Sequence, residues 1–265
     1  MGPSRGSDTR NGKESIRMDQ KLKVIVSCTE PTRINKYLAN AGLHSRRETD
    51  AMIDSQQILL NGELLQEKGT KVKSGDVIEV LEPANALTLI LNKPVGFISD
   101  HFSSKNHPPA IKLLTKDNAL REYKDLAKIL TTELHVLGRL DADSHGLLVF
   151  SNSGVIARQL IGADSQVEKE YLVKVKGVIT EDKMKSLRSG MQLDGQPLKE
   201  AIVTEETGNA LRFILREGKN RQIRRMCEKV DLLVLDLLRV RIGNVRLSTL
   251  PVGKWRLVED IETFI

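Results

Sequence analysis

Aromatic residues are scarce: three Tyr, five Phe and one Trp in 265 residues. Extensive base stacking is therefore excluded. Cysteine is scarcer still. Cys28 and Cys227 supply neither a disulfide framework nor a metal cage, which fits a reducing cytosol. His44, His101, His107, His135 and His145 show no metal-ligand spacing, so no metal is expected. No apolar run is long enough to span a bilayer. Residues 1–20 lack the apolar stretch of a signal peptide and read as a disordered tail, with Met18 as an alternative start. These absences exclude membrane-spanning, disulfide-stapled and metal-dependent classes. They leave a cytoplasmic protein of one large or two modest domains.

Positive charge, in contrast, is abundant and unevenly placed. The net charge is +6, and residues 216–246 alone carry nine Lys or Arg against four Asp or Glu. A second basic cluster, Arg33, Lys36, Arg46 and Arg47, lies in a stretch without a single acid. Two separated basic patches point to a polyanion held at two places, and nucleic acid is the commonest such partner.

The pattern divides the chain. A short strand at 24–26 precedes a small module over 31–82. There Thr32 caps a first helix with apolar Ile34, Tyr37, Leu38 and Ala41 on one face, and Gly42 stops it. Ser45 and Glu48 form a capping box for a second helix, placing Arg46 and Arg47 in its first turn. Asn61-Gly62 between apolar runs signals a hairpin, and residues 71–80 read as a turn entering a strand. After a linker at 83–86, strands are expected at 87–91, 147–150, 171–175, 201–205, 211–216 and 232–238. Helices are expected at 116–131, 154–161, 181–188 with Thr180 as cap and Gly190 as stop, and 220–230. Irregular alternation of this kind predicts an α+β fold, a small αα-plus-β module followed by a larger domain, over 87–265, with a mixed or antiparallel sheet.

Two stretches carry chemistry. Gly138-Arg139-Leu140-Asp141-Ala142-Asp143-Ser144 is a polar turn leading into the apolar run Leu147-Leu148-Val149-Phe150. Folding draws Asp141 toward a core, where an ionised carboxylate needs a cation. About eighty residues later comes Asn220-Arg221-Gln222-Ile223-Arg224-Arg225-Met226. Ile223, Met226, Cys227 and Val230 form the core stripe of that helix, turning Arg221 and Arg225 outward toward phosphates and leaving Arg224 on the flank. On chemistry alone Arg224 is the better partner for Asp141, and Arg221 takes its place if the helix starts late.

These residues resemble a known family. Residues 33–48 are similar to a ribosomal-protein-S4-like RNA-binding module. Leu91-Asn92-Lys93-Pro94-Val95-Gly96, Gly138-Arg139-Leu140-Asp141, Lys169-Glu170-Tyr171-Leu172-Val173 and Glu217–Met226 match, in order, the motifs of RsuA-like pseudouridine synthases. The resemblance implies that Asp141 is the essential carboxylate, that Tyr171 packs on a flipped uracil, that Arg224 pairs with Asp141, and that Arg139 holds the RNA open. It extends RNA contact to Arg33, Lys36, Arg46, Arg47, Lys93, Asn220, Arg221, Gln222 and Arg225, with Lys93 open to either a structural or an RNA-facing role. Two departures stand out. Asp231-Leu232 replaces the family's glycine after the arginine helix, and Asp tolerates the left-handed cap required there; residues 101–133 are the least family-like.

The implied reaction breaks the ribose–nitrogen bond of uridine and rejoins the base through carbon, without redox change, so no cofactor is expected. A carboxylate attacks covalently or takes a ribose proton, and a nearby guanidinium keeps it ionised. Base flipping costs a few kcal/mol, and one aromatic platform returns roughly 1 to 3. The expected protein is a monomeric, cytoplasmic synthase acting on a structured stem-loop of ribosomal RNA. The alternatives are an RNA-binding ribosome-assembly factor and a synthase acting on transfer RNA.

Overall fold

The computed structural model describes residues 22–41, 43–44, 46–81, 86–99, 106–162, 164–259 and 264. The amino-terminal elements are β1 (Leu22–Ile25), β2 (Thr32–Arg33), α1 (Ile34–Asn40), α2 (Arg46–Asp54), β3 (Ile58–Leu60), β4 (Glu63–Leu64), β5 (Lys71–Val72) and β6 (Val77–Val80). One sheet runs β1-β6-β3-β4, and β2 pairs with β5. Ile34 and Leu38, one turn apart on α1, are wholly buried and meet Ile53, Ile58, Val72, Ile78 and Val80 in one core. Asn61 (φ 54) and Gly62 (φ 87) make the expected hairpin turn, and Asn61 also receives the Val77 amide and donates to Asp76.

Thr32 does not cap α1. Its backbone is occupied in the strand pair with Val72, so Arg33 takes the N-cap position without a side-chain cap bond. The expected stop Gly42 and cap Ser45, the side chains of Arg47 and Glu48, the tail over residues 1–20 and most of the linker lie outside the described residues.

The larger unit comprises β7 (Thr88–Lys93), a 3-10 turn at Ala110–Leu113, α3 (Leu126–Thr131), β8 (His135–Leu137), β9 (His145–Ser151), α4 (Gly154–Ile161), β10 (Lys169–Lys176), α5 (Glu181–Arg188), β11 (Gln192–Leu193), β12 (Gln196–Pro197), β13 (Ile202–Glu206), β14 (Ala210–Leu215), α6 (Gln222–Glu228), β15 (Leu233–Ile242), β16 (Val245–Arg246) and β17 (Trp255–Leu257). Its main sheet runs β13-β14-β10-β15-β9-β7-β17, with β16 against β15 and β8 against β9. Among the described residues every strand–strand pairing in it is antiparallel except one, isolated bridges aside. β15 and β9 run parallel, joined at Leu238↔His145 and Arg239↔Gly146, so the sheet is mixed, as expected.

This parallel seam divides the sheet into two half-sheets. On one side Tyr171, Val173, Phe213, Ile223 and Met226 share a core with α5 and α6. On the other, Leu147 and Val149 pack toward Leu160 on α4, while Leu148 and Phe150 pack toward Trp255 on the opposite face. A strand buried on both faces explains the unbroken apolar run of β9. The seam also requires Gly146. A Cβ there would stand 2.4 Å from the Arg239 carbonyl oxygen, at φ +103.

The helix expected over 116–131 is confined to its last six residues. Tertiary pairing overrides propensity upstream: Trp255 donates its amide to Asn118 and its indole N–H to Thr115, and Leu120 donates to Trp255. α5 has the expected bounds with Thr180 as cap, and α4 likewise fills 154–161. α6 is shorter than the expected 220–230. Asp231 adopts the left-handed conformation (φ 53), and the Leu232 amide closes onto the Cys227 carbonyl.

Candidate active site

The turn between β8 and β9 is fixed from three directions. From the loop after β7, Ser99 donates its hydroxyl to the Leu140 carbonyl (2.8 Å) and accepts the Leu140 amide (2.9 Å), while the Gly96 amide reaches Ala142 O (2.8 Å). From below, Arg239 on β15 donates to the carbonyls of Leu147 (2.7 Å), Gly138 (2.8 Å) and Arg139 (3.4 Å). From the arginine helix, Arg224 Nη2 donates to Asp143 O (2.8 Å). A turn with its carbonyls held this way presents its acidic side chains in one orientation.

Those side chains face Arg221. This residue is the N-cap of α6 and lies in the left-handed region (φ 48), a conformation that costs a non-glycine residue roughly 1 kcal/mol or more. Its guanidinium forks onto Asp143 (3.2 and 2.9 Å), and Nη1 also stands 3.6 Å from Asp141 Oδ2. Because α6 begins at Gln222, Arg221 takes the place by Asp141 that the helical stripe assigned to Arg224. Arg224 instead contacts Asp143 through Nε at 3.3 Å. Burial raises the Asp143 carboxyl pKa, but the Arg221 hydrogen bond and the charges of Arg224 and Arg221 outweigh it and hold the group below the usual range. Asp141 is less buried than its apolar neighbours predict, with its side chain 37% exposed at the mouth of a cleft.

That cleft, about 940 Å³, lies over the seam and is lined by Arg139, Asp141, Lys169, Tyr171, Arg221 and Arg239 among others. Tyr171 pairs with Phe213 on β14 and Arg239 on β15 and is largely buried. Arg139 and Asn220 are exposed at the rim. Arg33, Lys36 and Arg46 are exposed on the small module.

Two expected RNA-contacting residues are not presented. Lys93 is wholly buried, and its ammonium donates to the carbonyls of Pro94 (2.9 Å) and Phe97 (2.7 Å), holding the turn that carries Gly96 and Ser99. Burial, then the charge of Arg239, pulls its pKa down to about 8 against the opposing pull of Asp141 and Asp143. Gln222 is also buried, bonding to the Lys219 amide and Glu217 to shape the loop before α6. Arg225 lies on the helix flank, held by Asp194.

Sequence reasoning missed Arg239 and Asp143. Arg239 carried a readable signal, a cation flanked by Leu237, Leu238 and Val240 on a largely apolar strand, in step with the buried Leu237. Asp143 was in view, but only the pairing geometry separates its role from that of Asp141.

Among the described residues no cluster of His, Cys, Asp or Glu could hold a metal ion, and no helix is long and apolar enough to cross a membrane. The sequence profile described as RNA pseudouridylate synthase matches residues 87–229, and that of the S4 domain matches 32–78. The dual-specificity RNA pseudouridine synthase RluF of Escherichia coli K12 is 37% identical over 237 residues, covering 87% of this chain and 76% of that protein. The ribosomal large subunit pseudouridine synthase B of Bacillus subtilis is 30% identical, covering 84% and 91%. A crystal structure of a pseudouridylate synthase shares the fold, with a TM-score of 0.58 at 24% identity over 86% of this chain and 96% of that one. With an S4 domain ahead of its catalytic domain and most of its length matched to these relatives, the chain belongs to the RNA pseudouridylate synthase family.

Proposed function

We propose that the cleft converts a specific uridine of ribosomal RNA to pseudouridine with Asp141 as the reacting carboxylate. The observation that carries this reading is Asp141 lining a cleft of about 940 Å³, 3.6 Å from the Arg221 guanidinium, with Tyr171 in the same wall. In the reaction the bond from ribose C1′ to N1 breaks, the uracil turns, C1′ bonds to C5, the C5 hydrogen leaves as a proton, and N1 takes up a proton in its place. Asp141 either attacks C1′ or takes a ribose proton. Tyr171 packs on the extruded uracil, Arg139 fills the vacated space in the RNA, and Arg221 stands by the carboxylate. Asn220 at the rim and Arg33, Lys36, Arg46 and Arg47 on the module contact phosphates of a structured stem-loop. The module spans 31–82 and the catalytic domain 87–265, acting as a monomer in the cytoplasm.

Release of tritium from C5 of labelled uridine in unmodified ribosomal RNA tests the proposal. Wild type releases tritium and Asp141→Asn does not, with RNA binding retained. Tight binding without release by wild type would leave an RNA-binding assembly factor. A second reading, that more than one class of RNA is modified, is supported by the resemblance to a relative named as dual-specificity; release from transfer RNA as well as ribosomal RNA would establish it.

A further inference from the structure

The cleft contains more positive charge than this chemistry uses. Lys169 lies on β10 two residues before Tyr171, both line the cleft, and strand geometry puts residues two apart on one face roughly 7 Å from each other. Lys169 is more than nine-tenths buried, yet its ammonium, with three donors, has a single long bond to the Val167 carbonyl at 3.5 Å. Arg239 and Lys199 line the same cleft. Burial, then the charges of Arg239 and Lys199, draws the Lys169 pKa down to about 8.

The nearby carboxylates are engaged elsewhere. Asp141 faces Arg221, while Glu217 accepts from Gln222 and from the Lys199 amide. Glu170, adjacent in sequence, is taken by Arg212 and Arg241. The carbonyls around Arg239 satisfy its donors without cancelling its charge. A buried cation left uncompensated is unfavourable until an anion completes the site. Uracil is neutral, so the base cannot supply that charge, whereas the RNA chain can.

We propose that Lys169, with Lys199 at the mouth and Arg239 beneath, forms an anion subsite that takes a phosphodiester adjoining the target uridine and sets how deeply the nucleotide seats beside Asp141. The subsite rests on reading the cleft as the uridine-isomerising site. Lys169 acts as a positioning residue, since it holds the chain rather than the reacting atoms. Tyr171 on the same strand face then meets the base while Lys169 meets its phosphate.

The test uses the full chain and a synthetic stem-loop around the mapped uridine, with a neutral methylphosphonate placed at its 5′ or its 3′ phosphate. One substitution lowers wild-type affinity and kcat/KM by roughly 10- to 100-fold. Lys169→Met lowers them similarly, adding the methylphosphonate to that variant costs little more, and Lys169→Arg restores most of the loss. Equal penalties in wild type and Lys169→Met at both phosphates would overturn the subsite. If Lys169→Met fails to fold, Lys199→Met and the wild-type scan decide, and insensitivity at both phosphates overturns it. Affinity separates the two proposals: phosphate-dependent binding without tritium release rejects the isomerase and leaves Lys169 as an anion site without its role in seating a target uridine.

Discussion

Arg221 divides one guanidinium between two carboxylates, bonded to Asp143 at 2.9 and 3.2 Å and held 3.6 Å from Asp141. The bonded acid anchors the arginine, and the other stays close to its charge without being locked to it. This suits the role proposed for Asp141, since a bidentate pair would have to be broken before a reacting carboxylate's oxygens could move.

Asp143→Asn tests this division. Without the ionised anchor, Arg221 turns to Asp141 and its left-handed backbone loses support. We expect kcat to fall roughly tenfold or more while KM changes little. The pair is half exposed, so melting reports a loss of about 1 kcal/mol or less. Full turnover in steady-state tritium release would show that Arg221 needs no anchor.

Arg239→Met removes the support beneath the turn that carries Asp141 and Asp143. Three carbonyls lose their donor, and unsatisfied buried acceptors cost about 1 to 3 kcal/mol each, so urea denaturation should record a loss of roughly 2 to 4 kcal/mol. Arg239→Lys keeps the charge but not the fork and recovers less than half of it. A stability loss below about 1 kcal/mol for Met would mean that the turn holds itself.

Lys93 gives a pH signature. Its folded pKa is about 8 against 10.5 for the free side chain. Between those values the unfolded chain binds a proton that the folded chain has released, so this lysine makes stability rise with pH across the window. Cys227 acts in the opposite sense above pH 9, because burial pushes its thiol up to about 12 and the unfolded thiol ionises first. Comparing wild type with Lys93→Met cancels the cysteine contribution. The stability difference should shift in favour of wild type from pH 8 to 10.5, and a flat difference would contradict the buried placement.

Asp231→Gly relieves the left-handed cap after α6. At φ 53 a glycine carries no Cβ penalty, and the variant should gain up to about 1 kcal/mol in urea without loss of activity. Destabilisation instead would show that the Asp231 side chain contributes more than the backbone strain it causes.

Local rules account for much of what could be read in the chain. The hairpin at Asn61-Gly62, the Thr180 cap and the buried run of β9 each follow from neighbours in sequence. So does the left-handed turn at Asp231. The arginine helix was placed correctly and its start was not, since Gln222 and Glu217 fold the preceding loop through contacts that periodicity does not encode. That two-residue difference moved Arg221 rather than Arg224 beside Asp141. Lys93 shows the same limit from another side. A lysine before a proline is open in sequence to a structural or an RNA-facing role, and the bonds to the Pro94 and Phe97 carbonyls decide for the structural one. The 116–125 segment departs from the expected helix because Trp255, well over a hundred residues later, claims its backbone.

The parallel seam between β9 and β15 has a consequence for how activity first arises. Asp141 enters from the turn before β9 on one side and Arg221 from the loop before α6 on the other, eighty residues apart. No locally folded fragment of the chain contains both in contact. The join at Gly146 and Arg239 lies between the segments that supply the two groups, so the approach of Arg221 to Asp141 exists only where the two half-sheets have met.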